Sequence, residues 1–254
     1  MTGLSIIILT CNQRIFTERV LLSLDGFMQA TPDAEVIIVD NGSSDGTSAA
    51  IAGMGLKWCA RLKYISLAEN IGVAAGRNVG IKQSSRDVIM LLDNDTIADG
   101  ESIAYMYYRL MSDPTIGILA PSLWSPEGKL QDSAKPYPGL GLKLRHFISQ
   151  KWRRSDETPM VCECEPCYVI GACQMFRRDV SQTTGMLDER IFYGPEDADF
   201  CLRVREAGFR VVYDPRARII HDWQRATSRR RLSRLSFLHV RGLFHFYLKH
   251  RRLF

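Results

Sequence analysis

The sequence predicts an α/β domain with a central, mostly parallel sheet flanked by helices. Three observations carry that expectation. Short apolar runs alternate with amphipathic stretches through the first half of the chain. Two of these runs end on acids, Asp40 and Asp93, and open α/β sheets bind ligands beyond the carboxyl ends of their strands. No apolar run approaches the roughly 18 residues of a membrane span.

The elements follow in order. Leu4–Leu9 reads as a strand and Arg14–Met28 as one helix. "EVIIVD" (35–40) is a second buried strand. "NGSSDGT" (41–47) is a turn and helix start, with Ser44 or Asp45 as the expected cap. Leu62–Ser66 is a third strand and Val73–Gln83 a helix. Val88–Leu92 is a fourth strand, and a helix follows from about Glu101. Residues 128–160, rich in Pro, Gly and basic side chains, read as a long excursion. Tyr168–Phe176 reads as one strand. Residues 194–209 read as a helix with Pro near its start, acids in its first turn and Gly208 at its end. "RVVYD" and "ARIIH" are two short strands, the second ending on His221.

Composition is that of a soluble globular protein: 46% hydrophobic and 24% charged over 254 residues. The N-terminus has no basic leader and no cleavage pattern, and seven cysteines is an odd number, so reduced thiols and a cytoplasmic location are expected. The net charge of +5 is uneven. Residues 223–254 carry nine Lys/Arg and no acid, so the remainder is mildly acidic.

The stretch "VIMLLDND" ends a dry strand on Asp93 and Asp95. Two carboxylates this close repel each other, and both are costly to desolvate. An Asp-x-Asp at a strand end suits Mn²⁺ or Mg²⁺, with a substrate diphosphate supplying further oxygens; the plain alternative is a loop with two solvated acids. Glu196, Asp197 and Asp199 crowd a helix start, where they complement the helix dipole. A carboxylate ionised by that dipole is also a sound general base. His221 is either structural or a neutral imidazole completing an oxygen-rich metal site. Cys162, Cys164, Cys167 and Cys173 lack the paired C-x₂-C knuckles of a zinc site, so neither zinc nor a disulfide framework is expected. The chain has no G-x-G-x-x-G after its first strand and no P-loop, which weighs against a dinucleotide dehydrogenase and an ATPase.

"SIIILTCNQ", "VDNGSSDGT", "ENIGVAAGRNVGI", "LLDND", "FYGPEDADFCLRVREAGFRVVYDPRARIIH" and then Ser228 occur in an order that resembles the family 2 glycosyltransferases. The likeness covers most of residues 4–228 and is nearest to the bacterial rhamnosyltransferase-type branch, which builds surface polysaccharides. It implies a GT-A nucleotide-sugar-binding fold over residues 1–222, with a nucleotide-sugar half of about 1–100 and an acceptor half of about 101–222. Residues 223–254 would be a basic C-terminal helical extension. The resemblance implies an inverting, metal-dependent transfer from dTDP-rhamnose or a UDP-sugar to a glycan or lipid-linked hydroxyl. Nucleic acid is not an implied partner. Thr10 and Asp40 would face the nucleotide base. Asn70 and Arg77 would lie near the nucleotide and diphosphate, and Asp93 near ribose and metal. Asp95 and His221 would bind the metal. Asp197 would be the catalytic base, with Glu196 orienting the acceptor. The family often has Gly directly before its Glu-Asp pair, whereas here Pro195 intervenes after Gly194. Two rivals stay open: a sugar-nucleotide nucleotidyltransferase, and a non-catalytic module that binds sugar nucleotides.

At about 100° per residue, Arg234, Arg241, His245, Lys249 and Arg252 fall on one helical face, and Phe237, Val240, Leu243, Phe244 and Tyr247 on the other. Two arrangements fit. The apolar face packs on the domain and leaves the arginines in water, or the helix lies on the inner face of the plasma membrane with anionic lipids drawing residues 225–252.

Overall fold

The computed structural model describes residues 3–137, 159–222 and 234–250. Its strands are β1 (Leu4–Thr10), β2 (Ala34–Asp40), β3 (Leu62–Ser66), β4 (Val88–Asp93), β5 (Thr96–Ala98), β6 (Ile116–Trp124), β7 (Leu130–Gln131), β8 (Ala134–Lys135), β9 (Tyr168–Val169), β10 (Cys173–Arg177) and β11 (Arg210–His221). Its helices are α1 (Arg14–Ser23), α2 (Asp25–Ala30), α3 (Thr47–Ala52), α4 (Val73–Gln83), α5 (Gly100–Ser112), α6 (Arg178–Thr184), α7 (Glu196–Glu206) and α8 (Arg234–His250).

Among the described residues, nine strands form one sheet in the order β3-β2-β1-β4-β10-β6-β11-β5, with β7 beside β6. β1 pairs in parallel with β2 and β4, β2 with β3, and β6 with β11. β10 runs antiparallel between β4 and β6. The expected mostly parallel α/β sheet is therefore present. Both faces are buried, which is why the strands read as continuous apolar runs. Leu4, Ile6 and Ile8 enter one core cluster with Val20, Ile103 and Met106. Ile7 enters the other with Ile37, Ile89 and Phe200.

The register sets the site. Thr10 pairs with Asp40, and Leu9 with Asp93, so the ends of β1, β2 and β4 come level on one edge. His221 pairs with Thr96 across β11 and β5, which carries the histidine to the end of β4.

Several boundaries differ from the sequence expectations. The single helix over 14–28 is two, α1 and α2, meeting at Leu24. The cap position of α3 is Gly46, at φ 82°, though Asp45 still accepts from the Thr47 N–H at 3.2 Å. The strand expected over 168–176 is broken between β9 and β10 by the turn at 170–172. "RVVYD" and "ARIIH" are one strand, with a register shift between Asp214 and Arg218. Residues 128–160 contribute β7 and β8; the rest of that excursion over 138–158, and Ser228, lie outside the described residues.

The tail expectation changes most. Residues 225–233, 251 and 252 lie outside the described residues, as does the Arg234 side chain. Within α8 the expected apolar face is split: Phe237, Val240 and Phe244 are exposed, whereas Tyr247 is buried and Leu243 half-buried against the domain. The inner face is Phe246 and Tyr247, packed on Ala198 and Leu202, with His245 and Lys249 beside them. Electrostatics adds to this apolar packing. Asp188 and Asp199 present buried carboxylates on this side, and basic side chains of α8 supply their counter-charge. Lys249 lies 2.9 Å from Asp188 and 2.6 Å from Asp199, and His250 lies 2.9 Å from Asp199. Burial opposes ionisation of Asp199, yet His250, Arg203 and Lys249 hold its pKa at about 2. An acid at the start of α7 thus anchors a neighbouring helix.

Candidate active site

Asp93, Asp95 and His221 each offer a ligand atom, and the three atoms lie within 4.8 Å of one another. His221 Nε2 is 3.5 Å from Asp95 Oδ1. Two carboxylates and an imidazole suit a hard or borderline divalent cation such as Mn²⁺ or Mg²⁺. The state of the histidine supports that fit. Gln131 Nε2 donates to the His221 carbonyl at 2.8 Å, which leaves Gln131 Oε1 facing His221 Nδ1 at 2.8 Å. An amide oxygen can only accept, so Nδ1 carries the proton and Nε2 presents its lone pair to the acids. Burial keeps this imidazole below its ordinary pKa. Gln131→Leu is expected to weaken Mn²⁺ binding about tenfold, because the ring loses its tautomer lock. Titration calorimetry on the purified chain checks this.

Arg77 is the hub of the site. It rises from α4 with only 4% of its surface exposed. Its Nη2 donates to Asp93 at 2.5 Å and to the Gly171 carbonyl at 2.9 Å, and its Nη1 lies 3.9 Å from Glu196. The other face of residue 171 serves Asp197, whose Oδ2 accepts from the Gly171 N–H at 3.1 Å. Asp197 Oδ1 accepts from the Ala198 N–H at 2.7 Å. A Cβ at Gly171 would lie 2.7 Å from Arg77 Nη1, so a larger residue there would push the guanidinium aside. Glu196 is buried beside Asp197, with one oxygen lacking a hydrogen-bond partner. Desolvation, then the Asp197 charge, push its pKa up to about 7 against the pull of Arg77.

The remaining expected residues sit around the strand ends. Asp40 is buried, with Oδ1 accepting from the Ser43 N–H at 2.8 Å and Oδ2 from the Tyr64 hydroxyl. Thr10 points into the protein. Its hydroxyl meets Thr17 at 2.8 Å and accepts from Asn94 Nδ2 at 3.3 Å, bracing the turn that carries Asp95. Asn70 accepts from Asn41 Nδ2 at 3.0 Å and from the Gly72 N–H at 2.9 Å, which fixes the loop leading into α4. The structure therefore gathers Arg77, Asp93, Asp95, Glu196, Asp197 and His221, and places Thr10, Asp40 and Asn70 in the surrounding framework. Gln131, Gly171 and Asn41 were missed. Nothing in the sequence around Gln131 marks it, because its partner lies 90 residues away.

Comparison with known proteins fits this geometry. Residues 5–185 match the model of Glycosyl transferase family 2. The N-acetylglucosaminyl-diphospho-decaprenol L-rhamnosyltransferase of Mycobacterium tuberculosis (strain CDC 1551 / Oshkosh) is 27% identical over 241 residues, covering 87% of this chain and 76% of that protein. GalNAc-T7, solved with UDP, GalNAc and Mn²⁺, superposes with TM-score 0.70 at 15% identity, covering 88% of this chain; the chain spans 44% of that one's length. The mannosyltransferase PcManGT from Pyrobaculum calidifontis, solved with GDP-Man and Mn²⁺, superposes with TM-score 0.65 at 17% identity, covering 98% of this chain and 64% of that one. At these identities the structural likeness speaks for the fold, the GT-A type.

Proposed function

The chain belongs to glycosyl transferase family 2, and from that premise we propose that it moves a sugar from a nucleoside-diphosphate donor to an acceptor hydroxyl with inversion. One observation carries the reading: the Asp93–Asp95–His221 donor set and the Glu196–Asp197 pair flank a single buried arginine. That arrangement supports a diphosphate on the Asp93–Asp95–His221 side and an acceptor hydroxyl on the Glu196–Asp197 side.

Asp93, Asp95 and His221 would hold Mn²⁺ or Mg²⁺, which when bound neutralises charge on the departing diphosphate. Asp197 takes the proton of the acceptor hydroxyl. The freed oxygen pair forms the bond to C1 from the face opposite the diphosphate. The C1–O bond to the diphosphate breaks, and its electron pair leaves with that group. One displacement inverts the centre, with no covalent sugar–enzyme intermediate. Glu196 orients the acceptor beside the base, and Arg77 fixes Asp93 against the donor.

The name of the mycobacterial relative supports an L-rhamnosyl donor and an N-acetylglucosaminyl-diphospho-decaprenol-like acceptor. Among the described residues no helix is long and apolar enough to cross a membrane. The domain division at about residue 222 remains part of this proposal.

Calorimetry with nucleoside diphosphates and sugar nucleotides tests the reading. We expect binding to require a divalent cation, and Asp95→Ala to remove most of that requirement. Equal affinity in chelator and in Mn²⁺ would sink the metal assignment.

A further inference from the structure

Helix α8 docks through Phe246 and Tyr247 but carries four further large apolar side chains on its outward face. Phe237, Val240, Phe244 and Leu248 are between 61% and 70% exposed. Their spacing of three, four and four residues puts them on one face, and exposed Arg241 stands among them. The opposite face already has its partners. Phe246 and Tyr247 are buried against α7, His239 meets the Tyr193 carbonyl at 3.3 Å, and Lys249 and His250 pair with Asp199. Among the described residues the outward stripe is therefore left over after docking, and contiguous exposed apolar surface of this kind marks an interaction site.

We propose that this stripe inserts into the interface of an anionic lipid bilayer. Charge selects that occupant. The chain carries Arg229–Arg231 ahead of the helix and Arg251–Arg252 after it, with no Asp or Glu anywhere from 223 to 254. A second copy of the chain would set those cations against themselves, whereas anionic headgroups attract them. Phenylalanine and aliphatic side chains flanked by arginine are what a helix lying in the headgroup layer presents. The direction of insertion is the reverse of a helix held by a basic face alone. The apolar stripe enters the bilayer, and the Lys/His face grips the protein.

The placement also bears on the acceptor, and this part rests on the function proposed above. A Cβ at Gly242 would lie 2.8 Å from the Gly194 carbonyl, so α8 lies flush on the loop that leads into Glu196 and Asp197. The bilayer surface then lies about one helix diameter, roughly 10 Å, from the carboxylates. The acceptor class this suits is a hydroxyl on a lipid-anchored carrier, close to its headgroup.

Flotation of the full 254-residue chain with phosphatidylcholine vesicles, with and without phosphatidylglycerol, tests the proposal. The chain is expected to float with anionic vesicles, and high salt to weaken that binding without abolishing it. Phe237→Ser with Phe244→Ser is expected to lower partitioning about tenfold or more. Arg241→Glu is expected to lower it severalfold. Both variants should keep the melting temperature and the diphosphate binding of the parent, since the altered side chains face outward. Three results would overturn the proposal: no flotation of the parent at low salt, unchanged flotation of the double variant, or a parent dimer that the double variant converts to monomer. Absent diphosphate binding in the parent would instead count against the proposed function and leave the flotation result standing.

Discussion

Asp197→Asn is expected to abolish transfer while leaving donor binding nearly intact. The amide is close in shape but cannot take a proton from the acceptor hydroxyl. It also cannot reproduce both contacts of the carboxylate. Asp197 accepts N–H groups from Gly171 and Ala198 on its two oxygens, and an asparagine must turn its NH₂ toward one of them. The loss should fall on kcat rather than KM, because the missing interaction exists only as the proton moves. A drop of about 10²–10⁴ is expected from removing a general base. Single-turnover measurements with donor and acceptor saturating check this, and a variant retaining more than about a tenth of the parental kcat contradicts the role.

Arg77→Met is expected to cost about 3–5 kcal/mol of stability, because it strips the cation from a buried cluster of acids. Asp93 and Glu196 would face each other and Asp197 without counter-charge. The cost should depend on pH in a set direction. Glu196 has its folded pKa raised from 4.5 to about 7 by burial and by Asp197. A carboxyl with a raised folded pKa binds more protons in the folded chain, so its contribution falls as pH rises through that window. Below the unfolded value the penalty is absent, and above the folded value it is complete. Removing Arg77 raises the folded value further, so the melting-temperature gap between variant and parent should widen from mildly acidic to mildly alkaline pH. A gap that is constant across that range would mean that Arg77 acts through packing alone.

β1, β2 and β4 were legible because each is dry on both sides and ends at a turn, and the half-buried edge strand β3 because its apolar residues stand together. Leu62–Ser66 and Val73–Gln83 have the bounds the pattern predicts. β6 was not seen, although it is buried along nearly its whole length. It contains Gly117 and Pro121, and a proline argues against a central strand. The fold accommodates it at the irregularity in β11, where Pro121 pairs with Asp214 and the next partner is Arg218. The acids at the strand ends and the Glu-Asp pair were legible as chemistry. Their connection was not. The Gly171 peptide, the Gln131 clamp and the reach of Arg77 to Glu196 join segments 26 to 119 residues apart, and no local pattern records them. The outward stripe of α8 was misread for the same reason. Periodicity separates two faces of a helix, but the surface it meets, here Ala198 and Leu202 with the buried carboxylates of Asp188 and Asp199, decides which face is inside.

The flush seat of α4 limits how this chain can drift in sequence. A Cβ at Gly76 would lie 2.5 Å from Leu9 Cδ1, and one at Gly80 would lie 2.4 Å from Ile7 Cγ2. The two glycines act as a gauge block between helix and sheet, and the thickness they set is the height at which Arg77 leaves the helix. A larger residue at either position tilts the helix away from β1 and carries the guanidinium out of register with Asp93, so an error on the buried side of α4 is read out at the diphosphate. Lineages descended from such a chain should vary freely along the outer side of this helix and hold still at these two positions, with a compensating smaller residue at Leu9 or Ile7 as the permitted escape.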